Sequence, residues 1–309
     1  MKPPEPAGRA AVTPGEAGPR PGVHRFSHAA MATLFEIRCV HADPGYAHQA
    51  AQAAFLLVDR LEQEQSRFVA NSDVSRINHL SVGQATRVSP STMECLEIAR
   101  RMHDRTGGAF DISVGSGLDG LDFVSQDFTV LARTGGVRLD LGGIAKGYAV
   151  DRVAELLEEW EISRALVHGG WSSVLALEPP PDGEGWPLTL SAPEPGEQRI
   201  LARISARQKA VSASGTRKGD HILDPRTGRP VRRRAVWVAV GGREEGDSGS
   251  PAAFAETLST AFMVLPPEEV ADLCRRCPGV EAWLVEGEVL VHLPALPAGG
   301  CREADSSAD

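Results

Sequence analysis

The sequence predicts an α+β fold, a single domain of mixed, mostly antiparallel strands with packed helices. Segments with apolar residues at helical spacing are interspersed with short segments that alternate apolar and polar residues. No regular βαβ repeat connects them, and the chain closes with a hairpin pattern over residues 280–294. Because 309 residues with 42% hydrophobic content can bury a large core, we expect one domain over residues 26–294. Residues 1–25, rich in Pro, Gly and Ala, and residues 295–309 are predicted to be flexible tails.

The first half of the domain is predicted to contain two strands and three helices. The segment that follows His28 ends as a strand, and residues 45–68 carry apolar side chains on one helical face. Residues 91–106 repeat the helical pattern up to a Gly-Gly pair that ends it. Residues 137–143, VRLDLGG, predict a short strand, and residues 145–160 predict an amphipathic helix directly after it.

The second half is predicted to be mostly strands. Residues 162–179 indicate two short strands around a glycine turn, and residues 251–266 indicate a helix. Four further segments alternate apolar and polar residues and are predicted strands: PLTLSAP at 187–193, ILARISA at 200–206, KAVSASG at 209–215 and RAVWVAV at 234–240.

Charge and composition exclude several classes of protein. The 32 basic and 41 acidic residues give a net charge of −9, which disfavours a general attraction to nucleic acid or anionic lipid. No apolar run reaches the roughly 20 residues that span a bilayer, and the start of the chain lacks the apolar core of a signal peptide. We therefore expect a cytoplasmic protein without a membrane span. The five cysteines are odd in number and scattered, so no disulfide framework is indicated.

Residues 139–151, LDLGGIAKGYAVD, form the first of three segments whose residue types suggest a role in binding or catalysis. Asp140 ends the predicted strand, and Gly142 and Gly143 permit close approach of a ligand to the backbone. The N-terminal amides of the next helix and Lys146 in its first turn would suit an anion or a metal–phosphate group. The segment contains no GxGxxG or P-loop pattern, so a plain strand–turn–helix connection with an exposed lysine is the alternative.

Residues 214–231, SGTRKGDHILDPRTGRPV, form the second segment. His221, Asp224 and Thr227 lie within seven positions of one another, and Pro225 and Gly228 favour a turn that fixes their directions. A histidine held in this way suits a general base or a ligand contact. A hydrophilic turn between strands is the alternative.

Residues 254–262, FAETLSTAF, form the third segment. Glu256, Ser259 and Thr260 occur at i, i+3 and i+4, so one carboxylate and two hydroxyls are predicted on the same helical face. Hard oxygen ligands of this kind suit Mg²⁺. A polar helix flank facing solvent is the alternative.

Taken together and in this order, the three segments resemble the ApbE family of FAD:protein FMN transferases. Residues 31–33, Met-Ala-Thr, are similar to the family's Met-Gly-Thr, and residues 67–78 are similar to its Tyr-x-x-x-Ser-x-x-Ser-x-x-Asn segment. TGGAFDISVG at 106–115 resembles the family's glycine-rich loop. DLGGIAKGYAVD and HILDPRTG match the family's segments nearly letter for letter, and the resemblance extends from Phe26 to Leu293.

The resemblance implies a T-fold-like domain that uses Mg²⁺, with Mn²⁺ as the alternative, to cleave the pyrophosphate of FAD. FMN would pass to a Thr or Ser hydroxyl of an acceptor flavoprotein with a Ser/Thr-Gly-Ala-Thr-like segment, and AMP would leave. His221 would help to deprotonate that hydroxyl. The implied flavin contacts are Met31, Phe68, Ala109, Phe110, Asp111, Asp140, Lys146, His221 and Ile222. The implied metal ligands are the Gly143 carbonyl, Glu256, Ser259 and Thr260.

Four positions depart from the family pattern. Glu256 stands where the family carries Asp, and Trp171 replaces the last residue of an Asn-x-Gly-Gly-Asp segment. Ala32 replaces the glycine of Met-Gly-Thr, and Phe68 replaces a tyrosine. Because these changes fall in the implied site, three hypotheses stay open: an active FMN transferase, a non-catalytic FAD-binding paralogue, and an FAD pyrophosphatase that yields FMN and AMP.

Overall fold

The structure, a computed structural model, describes most of the chain and confirms the α+β class. His221 and Ile222 lie outside the described residues. The described residues are 11–14, 22–193, 198–215, 223–231, 233, 235–241, 249–286 and 289–295.

Six α-helices and sixteen strands are formed by these residues. The helices are α1 (Pro44–Gln65), α2 (Asp73–Ile77), α3 (Pro90–Arg105), α4 (Ala145–Glu159), α5 (Pro251–Val264) and α6 (Pro267–Arg276). The strands are β1 (Ala11–Pro14), β2 (Val23–Ala30), β3 (Thr33–Val40), β4 (Ala85–Arg87), β5 (Leu121–Val124), β6 (Thr129–Ala132), β7 (Ala165–Gly169), β8 (Ser173–Ala176), β9 (Trp186–Pro193), β10 (Gln198–Ala206), β11 (Lys209–Gly215), β12 (Leu223–Asp224), β13 (Arg229–Pro230), β14 (Ala235–Gly241), β15 (Val280–Glu286) and β16 (Val289–Leu293).

An eight-stranded antiparallel sheet forms the centre of the molecule, in the order β16-β15-β14-β11-β8-β7-β3-β2. Helices α4 and α5 lie against one face of this sheet and contact each other, and α1 and α3 pack around them. The side chains between these helices and the sheet form the main hydrophobic core. Both helices that carry the predicted chemical segments are therefore anchored side by side on the same sheet.

The opposite face of the sheet is covered by a three-stranded antiparallel sheet of order β1-β9-β10. Strand β14 shows the consequence, because Val236, Val238 and Val240 enter the main core. The alternate residues, among them Trp237, enter a second core that includes Trp186. A strand covered on both faces buries every residue instead of alternate ones.

The predicted flexible tail over residues 1–25 is wrong for Ala11–Pro14, which form β1. Val12 is fully buried, and its backbone N–H donates to the Trp171 carbonyl over 2.9 Å. The indole of Trp237 donates to the Ala11 carbonyl over 3.1 Å. These long-range contacts, which local composition does not reveal, attach β1 to the central sheet, and β1 also pairs with β9.

The predicted strand over residues 137–143 is also wrong, since residues 137–141 are irregular and residues 142–143 form a turn. The backbone N–H of Leu139 donates to the side chain of Asn78 over 2.6 Å, and that of Asp140 donates to the Ile112 carbonyl over 2.7 Å. The backbone amides of this segment thus bond to a side chain and to a loop carbonyl instead of a neighbouring strand. Small sheets at β4-β6-β5 and β12-β13 and the short helix α2 were not predicted.

Candidate active site

Residues Asp140–Gly143, here called the 140–143 turn, lead into the first turn of α4. One carboxylate oxygen of Asp140 accepts from the Gly142 backbone N–H over 2.9 Å, which closes the turn. The other lies 3.1 Å from Nε of Arg67. The side chain of Asp140 is thus fixed from inside the turn and from the segment that follows α1.

Glu256 of α5 reaches across to the start of α4. The carboxylate is buried, with 4% of the residue exposed, and it forms an ion pair with the Lys146 ammonium. The other oxygen accepts from the Gly147 backbone N–H over 2.5 Å. The Lys146 ammonium also donates to the Gly142 carbonyl over 3.2 Å. A buried charge is tolerated only when it is paired and hydrogen-bonded, and both conditions hold here.

Asp151 of α4 makes the reciprocal contact with the start of α5. Its two carboxylate oxygens accept from the backbone N–H groups of Ala252 and Ala253, over 2.9 and 2.8 Å. Burial raises the pKa of Asp151 to about 8, while the two amide hydrogen bonds oppose that rise. Each helix therefore has first-turn amides bound by a carboxylate from the other, which fixes Glu256 relative to the 140–143 turn.

Gly143 and Thr260 lie close to each other at the same contact, and with Lys146 and Glu256 they form a cluster of four residues. A Cβ placed on Gly143 would lie 3.2 Å from the ring of Phe110 and 3.6 Å from the Thr260 hydroxyl oxygen. The Thr260 hydroxyl donates to the Glu256 carbonyl over 3.1 Å. The structure thus places three of the four residues predicted to hold a metal, Gly143, Glu256 and Thr260, at the contact between the 140–143 turn, α4 and α5.

Ser259, the fourth predicted ligand, faces the sheet instead. Its hydroxyl is fully buried, lies 2.8 Å from the Ser214 hydroxyl of β11 and donates to the Glu256 carbonyl. At about 100° per residue, positions i+3 and i+4 flank Glu256 within about 60° on either side, so the three residues share one broad face of α5. Both hydroxyls donate to the Glu256 carbonyl, but only that of Ser259 also contacts β11.

The donor set of this cluster fits a hard divalent cation. It offers a carboxylate, a hydroxyl and a backbone carbonyl, all of them oxygen ligands. The Lys146 ammonium, which contacts Glu256 and the Gly142 carbonyl, shows that the Glu256 carboxylate attracts positive charge. Within the described part of the chain, no group of three or more His, Cys, Asp or Glu residues could hold a metal ion, so any metal here relies on backbone and hydroxyl oxygens.

Residues 106–115, here called the glycine-rich loop, lie beside the 140–143 turn. Ala109 and Phe110 are buried at 1% and 3% exposure. The Asp111 carboxylate accepts from the Ser113 backbone N–H and hydroxyl and from the Gly115 N–H, over 2.7 to 2.9 Å. The Asp111 carboxylate therefore stabilises the conformation of its own loop. The same loop places Phe110 against Gly143.

The DPRTG turn, residues 224–228, contacts the glycine-rich loop. A Cβ on Gly115 would lie 2.6 Å from the Pro225 carbonyl oxygen, so only glycine permits this approach. Gly108 lies on the other side of the contact, near the Arg226 side chain. The described end of the second chemical segment thus lies beside the glycine-rich loop.

Met31 and Phe68 make no contact with Gly143, Glu256 or Thr260 among the described contacts. The backbone N–H of Met31 donates to Glu62 of α1 over 2.8 Å, and Met31 and Ala32 adopt φ angles of 49° and 54°. Phe68 is 82% exposed, and the Arg67 guanidinium lies over its ring at 4.5 Å. The exposed ring is available to a stacking partner.

This chain resembles known proteins in sequence and in fold. The model of the ApbE family matches residues 31–129 and 117–284, most of the chain. The chain belongs to the ApbE family. The predicted family, and with it the predicted class of transferase, is confirmed.

Individual ApbE relatives cover most of the chain. The FAD:protein FMN transferase of Klebsiella pneumoniae (strain 342) is 24% identical over 84% of this chain and 83% of its own length. That of Treponema pallidum (strain Nichols) is 26% identical over 88% and 87%. The crystal structure of Pseudomonas stutzeri flavinyl transferase ApbE, apo form, is 25% identical, with a TM-score of 0.74 over 88% of this chain and 94% of its own. The flavin transferase ApbE from Vibrio cholerae shares the fold, with a TM-score of 0.75 over 88% and 97% at 21% identity.

The departures from the ApbE pattern have structural explanations at two positions. The positive φ of Ala32 is a conformation that glycine adopts more readily, so the methyl group adds strain there. Trp171 lies edge-on to buried His168 at 6.0 Å, and its backbone carbonyl accepts from β1. Trp171 is thus half-buried in the turn between β7 and β8, and its main chain supports β1.

Sequence reasoning missed three residues of this site. Asp151 and Gly147 belong to a segment that was singled out, but their partners lie about 100 residues away in α5. Arg67 precedes the predicted Phe68, and its contact with Asp140 carries no local signal. No helix in the described part of the chain has both the length and the apolar character needed to cross a membrane.

Proposed function

We propose that this chain is an FAD:protein FMN transferase that cleaves the FAD pyrophosphate with Mg²⁺ or Mn²⁺ and transfers FMN to a Thr or Ser hydroxyl of an acceptor flavoprotein. AMP is the leaving group. The observation that carries the proposal is the convergence of Gly143, Lys146, Glu256 and Thr260 at the contact between α4 and α5. Family membership supports the same reaction, because the curated relatives compared above bear that enzyme name.

The metal would be held by Glu256, Thr260 and the Gly143 carbonyl. Bound there, a divalent cation would neutralise the charge of the diphosphate and align it for attack. Glu256 is already paired with Lys146, so the ammonium has to move toward another anion when a metal takes its place. A substrate phosphate next to the Gly142 carbonyl is a suitable new partner for Lys146.

The flavin end of the substrate would lie between Phe68 and the glycine-rich loop. The exposed face of Phe68 suits stacking with the isoalloxazine ring. Asp140, Phe110, Ala109 and Asp111 would contact the flavin, in roles that the ApbE resemblance implies. Met31, on the neighbouring β2–β3 turn, would contribute an apolar contact.

His221 would accept the proton of the acceptor hydroxyl as that oxygen attacks phosphorus. The histidine lies outside the described residues, but the DPRTG turn that closes its segment contacts the glycine-rich loop. A free hydroxyl is a weak nucleophile, and imidazole titrates near neutral pH. The acceptor would present its hydroxyl in a Ser/Thr-Gly-Ala-Thr-like segment.

AMP release from FAD, followed with and without acceptor, tests this proposal. We expect AMP release that depends on both metal and acceptor, and we expect His221→Asn to abolish transfer while FAD still binds. AMP formed equally without acceptor would indicate a pyrophosphatase. Bound FAD with no product would indicate a non-catalytic FAD-binding paralogue, and unchanged transfer by His221→Asn would refute the role of the histidine.

A further inference from the structure

Arg67 is a charged residue at the rim of the site to which neither the motifs nor the comparisons give a role. Its Nε lies 3.1 Å from Oδ2 of Asp140, and its guanidinium carbon lies 4.5 Å from the centre of the Phe68 ring. An ion pair on one side and an aromatic ring on the other hold the planar group in one orientation. Arg67 is therefore a fixed cation beside the 140–143 turn.

The guanidinium of Arg67 has N–H groups that donate no hydrogen bond to a described residue. The ion pair uses Nε, and no described residue accepts a hydrogen bond from either Nη atom. The side chain is 46% exposed, so these donors are open to a ligand. A guanidinium can bind one carboxylate and a second anion at once, because it carries five N–H groups in a fixed plane.

Two cations, Arg67 and Lys146, lie beside the turn, each paired with one carboxylate. Lys146, the other cation beside Gly142, pairs with buried Glu256 until a metal takes its place, and it would then meet the same diphosphate. Arg67 contacts the turn at another residue, Asp140. A diphosphate that lies along the turn, with a flavin ring against Phe68, would meet the open Nη atoms of Arg67.

We infer that Arg67 binds a phosphate oxygen of the diphosphate of FAD, and that Asp140 and Phe68 orient it for this contact. The inference rests on the proposed function, since it assigns a residue to the substrate of that reaction. The role is one of binding and does not include proton transfer or bond cleavage. A purely structural alternative is that Arg67 only supports the Phe68 ring.

Three ligands separate these two roles: FAD, riboflavin, which has a flavin ring and no phosphate, and ADP, which has a diphosphate and no flavin. Binding of FAD and riboflavin is measured by flavin fluorescence, and ADP by competition with FAD. The Arg67→Met variant is compared with the wild type and with Arg60→Met, a matched change at an exposed arginine of α1 that pairs with Glu64.

We expect Arg67→Met to weaken binding of FAD and ADP about tenfold, the effect of losing one charge-assisted hydrogen bond, while riboflavin binding changes less than about twofold. Arg67→Lys should fall between wild type and Arg67→Met, because an ammonium cannot stack and bind two anions in one plane. Arg60→Met should bind all three ligands as the wild type does.

Two results would overturn the inference. Equal weakening of riboflavin and FAD would show that Arg67 acts only by supporting the ring, and unchanged binding of FAD and ADP would show that it contacts no phosphate. Failure of the wild type to bind FAD would instead contradict the proposed function, and the assignment of Arg67 would fall with it.

Discussion

Gly147 of α4 packs directly against the backbone of α5, and its replacement by alanine tests how the site is assembled. A Cβ at this position would lie 2.4 Å from the Ala252 carbonyl oxygen and 2.9 Å from Cα of Ala253. Ordinary contacts begin near 3.4 Å, so the new methyl overlaps the backbone of α5 by about 1 Å. Backbone atoms cannot rotate away, and the two helices must separate.

Two effects of Gly147→Ala have opposite signs. Helix propensity alone would stabilise α4 by roughly 0.5–1 kcal/mol. Overpacking of a filled interface costs about 1–3 kcal/mol, and the separation of the helices also stretches the bond from the Gly147 N–H to Glu256. We expect a net loss of about 2 kcal/mol, or a Tm lower by roughly 4–8 °C.

Urea and thermal unfolding measure this change. Gly135→Ala is the matched control, because a Cβ there would meet only a Val82 methyl group at 3.5 Å. The variant should also lose FMN transfer, since Glu256 and Lys146 shift with the helices. A Tm equal to or above that of the wild type would refute the reasoning and show that α5 does not rest against Gly147.

Three further predictions concern residues around the same helices. The raised pKa of Asp151 means that the folded state keeps this proton more tightly than the unfolded chain, so its contribution to stability is complete below about pH 4 and is lost as pH rises toward 8. Unfolding free energy measured from pH 4 to 8 should fall less for Asp151→Asn than for the wild type, and parallel curves would contradict this. Glu256→Asp should show a larger rise in Tm on addition of Mg²⁺ or Mn²⁺, because a shorter side chain cannot hold Lys146 and Gly147 together and is freer to bind a metal; equal shifts would show that its reach is irrelevant. Arg233→Met should lower the unfolding free energy in urea by about 2–4 kcal/mol, because the buried guanidinium donates to two backbone carbonyls at the end of α5. Arg275→Met should change it little, because the Arg275 side chain of α6 is exposed.

Local periodicity predicted the elements that hold the site. The helix at α4 and the helix at α5 follow from apolar spacing, and β14 follows from its Val and Trp alternation. These are long or strongly patterned segments, in which the local signal and the tertiary environment agree. The α+β class and the antiparallel sheet could therefore be derived before the structure.

Elements that depend on distant partners could not be derived. Strand β1 has four residues between Pro- and Gly-rich segments, and it is held by Trp171 and Trp237. The 137–143 segment has an apolar alternation, yet its amides bond to Asn78 and Ile112 instead of a strand. In both cases the tertiary contact overrides the local pattern.

The sequence identified residues of the candidate site, but it did not predict the contacts between them. Glu256 and Lys146 were identified separately, but their ion pair across the two helices depends on the packing of α4 against α5. Ser259 and Thr260 differ by one position, and this single step turns one hydroxyl to the sheet and the other to Gly143. Side-chain direction at this level follows from the placement of the helix on the sheet.

The intact mass of an acceptor protein tests the central claim most directly. The chain is incubated with FAD, Mg²⁺ and a fusion protein that carries a Ser/Thr-Gly-Ala-Thr-like segment, and the mass of the fusion is compared with a sample that contains a chelator. The account predicts that the fusion gains the mass of one FMN, only with metal, and that replacing the terminal Thr of the segment by Ala prevents the gain. An unchanged mass under conditions in which FAD is bound or cleaved would contradict the account.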